Sequence, residues 1–318
     1  MTFPLPQPPK FDHRPEGRVF DHTSFTADQL LAAKGDTTIT VALPAKDEAA
    51  TIGPIIETIV AELIDGLPLI DELLVMDDLS SDETATLAKQ AGATVISTAS
   101  VLAEYGAGGK GEALWKSLRA STGDLIVWCD ADIRNFDTRF ILGCLGPLLV
   151  HDVGFIKGFY RRPLNDDGEG GGRVTELVAR PLIATLFPDL AAMFQPLSGE
   201  FGGRREILER VPFSRGYAVD LALLIDISRQ FGIDRIAQVD LGSRVHRNRP
   251  LRQLGPQSAA IMAMALRRAG IEPQGVEENG AEKNGDENTG ADRLIMQRPE
   301  FGDANITVGD LPALVDLS

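Results

Sequence analysis

Two acidic residues, Asp130 and Asp132, close the fully apolar run "LIVWC" and are separated only by Ala131. In an extended segment alternate side chains share a face, so both carboxylates can approach one hard divalent cation, which relieves their mutual repulsion. An isolated Asp-x-Asp serves as readily to cap a turn or helix. The position of this pair is informative, because ligands of open α/β sheets sit beyond the carboxyl ends of the strands. A second cluster, "SRVHRNRPLR", flanks His246 with Arg244, Arg247, Arg249 and Arg252. Such a run is often a solvated basic face. In a chain this acidic it also suits polyanionic substrates, whose phosphate oxygens guanidinium groups bind bidentately.

A third stretch, "YGAGGKGEALW", can be aligned as G-x-G-x-x-G on Gly106, Gly108 and Gly111. It follows the third strand of the series and an irregular run, whereas a dinucleotide fingerprint belongs directly after the first strand. An ATP-type phosphate loop would need Ser or Thr after Lys110, and Gly111 stands there. The glycines are better read as a loop that lets Lys110, at the mouth of a helix, reach a nucleotide or diphosphate.

The elements that must position these residues alternate. "TITVAL" (38–43), "ELLVMD" (72–77), "TVIST" (94–98) and "DLIVWCDAD" (124–132) read as strands, and the intervening segments read as helices. Ile52, Ile55, Ile56, Ile59, Val60 and Leu63 share one helical face, and Thr26 with Gln29 forms a capping box. The pattern predicts an α/β protein with a mostly parallel sheet covered on both faces. Beyond Asp132 the order is less regular: a helix near 137–149, a strand at 153–158, helices at 173–186 and 254–270. Residues 1–24 read as an irregular lead-in.

The formal charge is −15 with 43% hydrophobic residues, which argues against nucleic acid and anionic membranes as partners. Over half the acidic excess falls in residues 271–318, read as a disordered acidic tail. No segment has the length of a membrane span or the pattern of a secretion signal, so a cytoplasmic protein is expected. Cys129 and Cys144 form no C-x-x-C pair and read as buried thiols.

The succession "VALPAKDEAATIG", "LLVMDDLSSDET", "GKGEALW" and "DAD" resembles the GT-A nucleotide-sugar glycosyltransferases. "KGFYRRPL", "GGGRVTELVARPL", "QPLSGEF", "GYAVDLALLID" and "AQVDLGSRVHRNRP" resemble the glucosyl-3-phosphoglycerate synthases, a retaining family that also includes mannosyl-3-phosphoglycerate synthases. The resemblance spans about residues 25–270. It implies a Rossmann-like nucleotide-binding half (25–132) followed by an acceptor-binding half (133–270), and a homodimer.

The resemblance also implies roles. Asp130, Asp132 and His246 would hold a divalent metal, Mg²⁺ or Mn²⁺. Pro44, Ala45, Glu48, Asp78, Lys110, Asp130, Ala131, Arg244 and Tyr217 would bind the donor, and Gly172, Arg173, Thr175, Ser198 and Asn248 the 3-phosphoglycerate acceptor. Asp220, Lys110 and Arg249 would act in catalysis, with Asp220 orienting sugar hydroxyls. "DDLSSDET" departs from the family's more usual D-S-G-S-x-D, since Leu79 stands where a glycine is expected. The implied reaction is retaining transfer of glucose from UDP-glucose to the C2 hydroxyl of 3-phosphoglycerate, by front-face attack. GDP-mannose remains an alternative donor, and "DAD" and "GYAVD" resemble the mannosyl branch about as well. A Rossmann oxidoreductase or a sugar-nucleotide pyrophosphorylase would need glycines near residues 44–49. A non-catalytic nucleotide-sugar binder would have lost Asp130, Asp132 or His246.

Overall fold

The computed structural model describes residues 18–161, 172–245, 250–277 and 291–317. His246, Asn248 and Arg249 therefore lie outside the described residues. The chain runs β1 (Val19–Asp21), α1 (Ala27–Lys34), β2 (Ile39–Ala45), α2 (Ile52–Ile59), β3 (Glu72–Asp77), α3 (Thr84–Gln90), β4 (Thr94–Ser97), α4 (Lys110–Arg119) and β5 (Leu125–Trp128). It continues with α5 (Arg139–Val150), β6 (Phe155–Arg161), α6 (Arg180–Leu186), β7 (Phe201–Arg204), α7 (Arg205–Leu208), β8 (Phe213–Ser214), α8 (Val219–Phe231), β9 (Ile236–Ser243) and α9 (Leu251–Arg268). Four short strands follow: β10 (Val276–Glu277), β11 (Asp292–Met296), β12 (Ala304–Val308) and β13 (Asp310–Leu311).

Eight strands form one sheet in the order β1-β9-β6-β7-β5-β2-β3-β4, in which only β7 runs antiparallel to its neighbours. The central strands β2 and β5 are buried on both faces, which is why they read as continuous apolar runs without alternation. Ile52, Ile55, Ile56 and Ile59 of α2 pack on one face of the sheet, and Leu114, Trp115 and Leu118 of α4 belong to a second cluster with Trp128 and Phe201. The Thr26–Gln29 capping box opens α1 as the spacing predicts.

Strand order decides where a ligand can sit. From β2 the chain adds β3 and β4 on one side, then returns to lay β5 along the other side of β2. The reversal opens a crevice beyond the carboxyl ends of β2 and β5, the topological switch point of such sheets. Asp130 and Asp132 follow β5 directly into that crevice. Thr51, just before α2, donates its hydroxyl to the Ala131 carbonyl at 2.6 Å, tying the segment after β2 to the acidic pair.

Both chain ends differ from expectation. Within the expected lead-in, Val19–Asp21 pairs in parallel with β9. Within the expected disordered tail, β10, β11 and β12 form an antiparallel sheet, and β13 pairs with β8. The acids of this region mask a short apolar pattern: Ile306, Val308 and Leu311 are buried in the main core cluster. The Trp115 indole donates to the Pro312 carbonyl at 2.8 Å, and Arg268 joins Asp226 to Asp310 at 2.8 and 2.7 Å. Among the described residues no helix is long and apolar enough to cross a membrane.

Replacing Leu311, which is fully buried, with Ala is expected to lower unfolding stability by about 2–5 kcal/mol in denaturant titration. The same change at the partly exposed Leu317 should cost roughly 0.5 kcal/mol or less. A disordered tail would make the two variants indistinguishable from wild type.

Candidate functional site

One cavity of about 410 Å³ opens at the switch point, lined by Pro44, Ala45, Lys46, Glu48, Asp78, Gly108, Gly109, Lys110, Ala113, Asp130, Ala131, Asp132 and Tyr217. Eight of the nine residues expected to bind the donor are in this lining; the ninth, Arg244, sits directly behind it. Chain segments far apart in sequence thus converge: the ends of β2, β3 and β5, the start of α4, and the turn preceding α8.

Each segment is held by local chemistry. Asp47, with φ +55°, accepts from the Ser81 amide at 2.8 Å, and the Glu48 amide donates to the Thr84 hydroxyl at 2.8 Å, which laces the loops after β2 and β3 together. Asp78 accepts from the Gly109 amide at 2.9 Å and from the Thr98 hydroxyl at 3.2 Å, so its carboxylate anchors the glycine loop at the entry to α4. At Gly109, with φ +143°, an added Cβ would overlap the Glu112 carboxylate. Glu112 in turn accepts from the Gly216 amide at 3.0 Å and pairs with Arg215 at 3.2 Å, fixing the turn that presents Tyr217.

Charges form a chain beneath and behind the cavity. Lys157 Nζ lies 3.1 Å from Asp220 Oδ1, and Lys110 Nζ lies 3.2 Å from Asp220 Oδ2 and 3.3 Å from Asp130 Oδ1. Arg244 Nη2 donates to Asp130 at 3.0 Å and Asp132 at 2.6 Å, while its Nη1 meets the Tyr160 hydroxyl at 2.6 Å and Glu200 at 3.3 Å. Gly199 is required by this crowding, because a Cβ there would overlap the Asp130 carboxylate.

Burial sets the proton affinities. It opposes the charge on Lys110, but Asp130, Asp220 and Glu200 outweigh it and raise the ammonium above its ordinary value. For Asp130 burial is likewise outweighed, by Lys110 and then Arg244, and its carboxyl is held below the usual range. Burial wins at Glu200, which is fully enclosed and pushed up, and at Lys157, which is pulled down against the opposing pull of Asp220. Counted as ionised, the three cations Lys110, Lys157 and Arg244 face four carboxylates, Asp130, Asp132, Glu200 and Asp220. The cluster therefore carries a surplus negative charge beside the cavity.

Asp130 and Asp132 offer hard oxygen donors and already hold one cation, the Arg244 guanidinium, between them, so the pair fits a divalent ion. Among the described residues no third His, Cys, Asp or Glu completes a metal set, and the expected third ligand, His246, is outside them.

Other expected site residues lie elsewhere. Asp220 is not in the lining: it sits behind Lys110 in the first turn of α8, with both oxygens taken by lysines. Gly172, Arg173 and Thr175 lie together at the entry to the helical turn Thr175–Ala179, outside the cavity lining, with Gly172 at φ +79°. Ser198 is fully buried, its hydroxyl without a hydrogen-bond partner among the described residues. Lys157 and Tyr160 were not singled out from the sequence. A lone lysine inside the buried run "GFIKGFY" is the signal that could have found Lys157, since such a charge must be paired.

Fold and site together define a GT-A glycosyltransferase, and residues 40–211 match the family model for glycosyl transferase family 2. A glucosyl-3-phosphoglycerate synthase of Mycolicibacterium smegmatis is 49% identical over 258 residues, 79% of this chain and 84% of its own. The crystal structure of glucosyl-3-phosphoglycerate synthase from Mycobacterium tuberculosis in complex with Mn²⁺, UDP-glucose and phosphoglyceric acid superposes with a TM-score of 0.80 at 40% identity, covering 96% of this chain and 98% of that one. The same enzyme in complex with Mg²⁺ and UDP gives 0.80 at 40% identity, covering 95% and 99%. The chain belongs to glycosyl transferase family 2, among its glucosyl-3-phosphoglycerate synthases.

Leu79, where the sequence pattern expects glycine, adopts φ +60° and is half exposed. A left-handed backbone costs a non-glycine residue about 1–2 kcal/mol, partly offset by glycine's larger unfolded-state entropy. Leu79→Gly should therefore raise unfolding stability by roughly 0.5–1 kcal/mol. A loss of stability in that variant would show that Leu79 makes contacts outweighing the strain.

Proposed function

We propose that this chain transfers glucose from UDP-glucose to the C2 hydroxyl of 3-phosphoglycerate with retention at the anomeric carbon. The observation that carries the reading is the convergence of Pro44, Ala45, Glu48, Asp78, Lys110, Asp130, Ala131 and Tyr217 on one cavity at the switch point. The glucosyl-3-phosphoglycerate synthase relatives, one of them crystallised with UDP-glucose and phosphoglyceric acid, favour glucose over mannose and uridine over guanosine.

In this reading Asp78 and Glu48 recognise uracil and ribose, while Lys110 and Arg244 face the diphosphate. Asp130 and Asp132, with His246, would hold a divalent metal; the Mg²⁺ and Mn²⁺ complexes of the relative support a divalent cofactor. When bound, that ion neutralises the charge that develops on the leaving diphosphate. Lys110 supplies fixed positive charge for the same purpose, pre-oriented by its two carboxylate partners. Gly172, Arg173 and Thr175 receive the acceptor's phosphate at backbone amides and a guanidinium, and Ser198, Asn248 and Arg249 are assigned to the same acceptor by the family pattern. Asp130, Asp132 and Asp220 are each occupied by cations, which favours front-face attack over a covalent adduct. The anomeric carbon's bond to the diphosphate oxygen breaks, its bond to the acceptor's C2 oxygen forms on the same face, and the hydroxyl proton passes to the departing phosphate. The division into nucleotide-binding and acceptor-binding halves, a homodimer and a cytoplasmic setting are parts of the same proposal; the two unpaired buried thiols suit the last.

UDP release from UDP-glucose with Mg²⁺ is expected only when 3-phosphoglycerate is present, and GDP-mannose should be turned over poorly. Equal release without acceptor would refute the synthase reading. Asp132→Asn is expected to lower kcat about 100-fold or more, consistent with loss of charge stabilisation at the leaving group. Because Arg244 and the metal compete for the same carboxylate oxygens, Arg244→Met should bind Mn²⁺ more tightly than wild type in the absence of nucleotide, measured by electron paramagnetic resonance. Weaker Mn²⁺ binding in that variant would contradict the competition.

A further inference from the structure

Lys157 is the least expected member of the charge chain. It stands in the middle of β6, a strand buried along nearly its whole length, and its side chain is 1% exposed. Its ammonium lies over the Phe201 ring, 3.9 Å from the centroid, and 3.1 Å from Asp220. Enclosing an ammonium is costly, and nothing about the sheet's packing requires one at this position. Phe155 and Phe159 of the same strand are buried and apolar, as a sheet interior prefers.

What Lys157 changes is the charge left to Lys110. Asp220 is 5% exposed and has two lysine partners: Lys110 reaches both of its oxygens and Lys157 reaches one. With Lys157 in place, Asp220 is already neutralised from behind, so the Lys110 ammonium keeps positive charge for Asp130 and for the cavity it lines. Without Lys157, a buried carboxylate would face Lys110 as its sole lysine partner, and the potential at the cavity floor would turn more negative. The N-terminal turn of α8 also favours the carboxylate, but a helix dipole amounts to about half a charge and cannot replace a full one.

We propose that Lys157 is a positioning residue for donor binding: it neutralises Asp220 so that Lys110 presents its charge to the diphosphate of the nucleotide sugar. Asp220 thereby belongs to the phosphate-binding machinery through Lys110. The inference rests on the donor reading given above, in which Lys110 faces the diphosphate.

The test compares UDP with uridine, both titrated against wild type, Lys157→Met, Asp220→Asn and the double variant Lys157→Met/Asp220→Asn, with thermal unfolding followed alongside. In Lys157→Met the affinity for UDP should fall about tenfold or more, while that for uridine, which has no phosphate, changes less than threefold. In the double variant both buried charges are gone, and UDP affinity should return to within about threefold of wild type. Equal losses for uridine and UDP, or UDP affinity unchanged in Lys157→Met, would reduce Lys157 to a structural residue and overturn the proposal. So would a double variant no better than Lys157→Met. Failure of the wild type to bind UDP would instead refute the donor reading itself, so the two outcomes are separable.

Discussion

The structure depends on an alternating chain of charges that crosses from the sheet interior to the cavity: Lys157, Asp220, Lys110, Asp130, Arg244, Asp132. Lys157, Asp220 and Arg244 are enclosed to a degree that would be prohibitive alone, and each is tolerated because its neighbours are of opposite sign. Buried pairs of this kind contribute little net stability, since desolvation consumes most of the Coulombic gain. Their value is positional. Removing one member strands its neighbour without a partner, so the side chains have few alternative arrangements.

The backbone is shaped around that chain. Gly199 leaves room for the Asp130 carboxylate, β7 inserts antiparallel between β5 and β6 to bring Phe201 against Lys157, and the first turn of α8 receives Asp220. Lys110 reaches the chain from the start of α4, whose entry is pinned by Asp78 through the Gly109 amide. A single cavity then carries both carboxylates and a lysine within one wall. Mixed signs at close quarters suit a leaving group that is itself an anion bridged to a cation. The surplus negative charge beside the cavity leaves room for a divalent ion.

Much of the nucleotide half was legible from local patterns. The apolar runs of β2, β3 and β5, the isoleucine stripe of α2 and the capping box of α1 follow from periodicity and side-chain chemistry within a few residues. Asp130 and Asp132 stood out because they end an apolar strand, and Lys110 because it follows glycines at a helix start. The C-terminal strands were misread because acidic composition hid Ile306, Val308 and Leu311, whose burial depends on β8 and α9 already being in place. Lys157 was passed over for a similar reason: a lone charge in an apolar strand has no visible partner until the strand's neighbours are known.

By itself the sequence determined which segments become strands and helices, where the acidic pair falls relative to its strand, and which family pattern the chain follows, because those depend on residues adjacent along the chain. Only the tertiary structure decided which carboxylates would be free and which would be held. Asp220 illustrates the difference: the family resemblance assigns it to the sugar hydroxyls, and only its packing reveals that lysines from α4 and β6 hold its oxygens. Electrostatic partners are chosen by distance in space and by the exclusion of water, and neither is encoded in spacing along the chain.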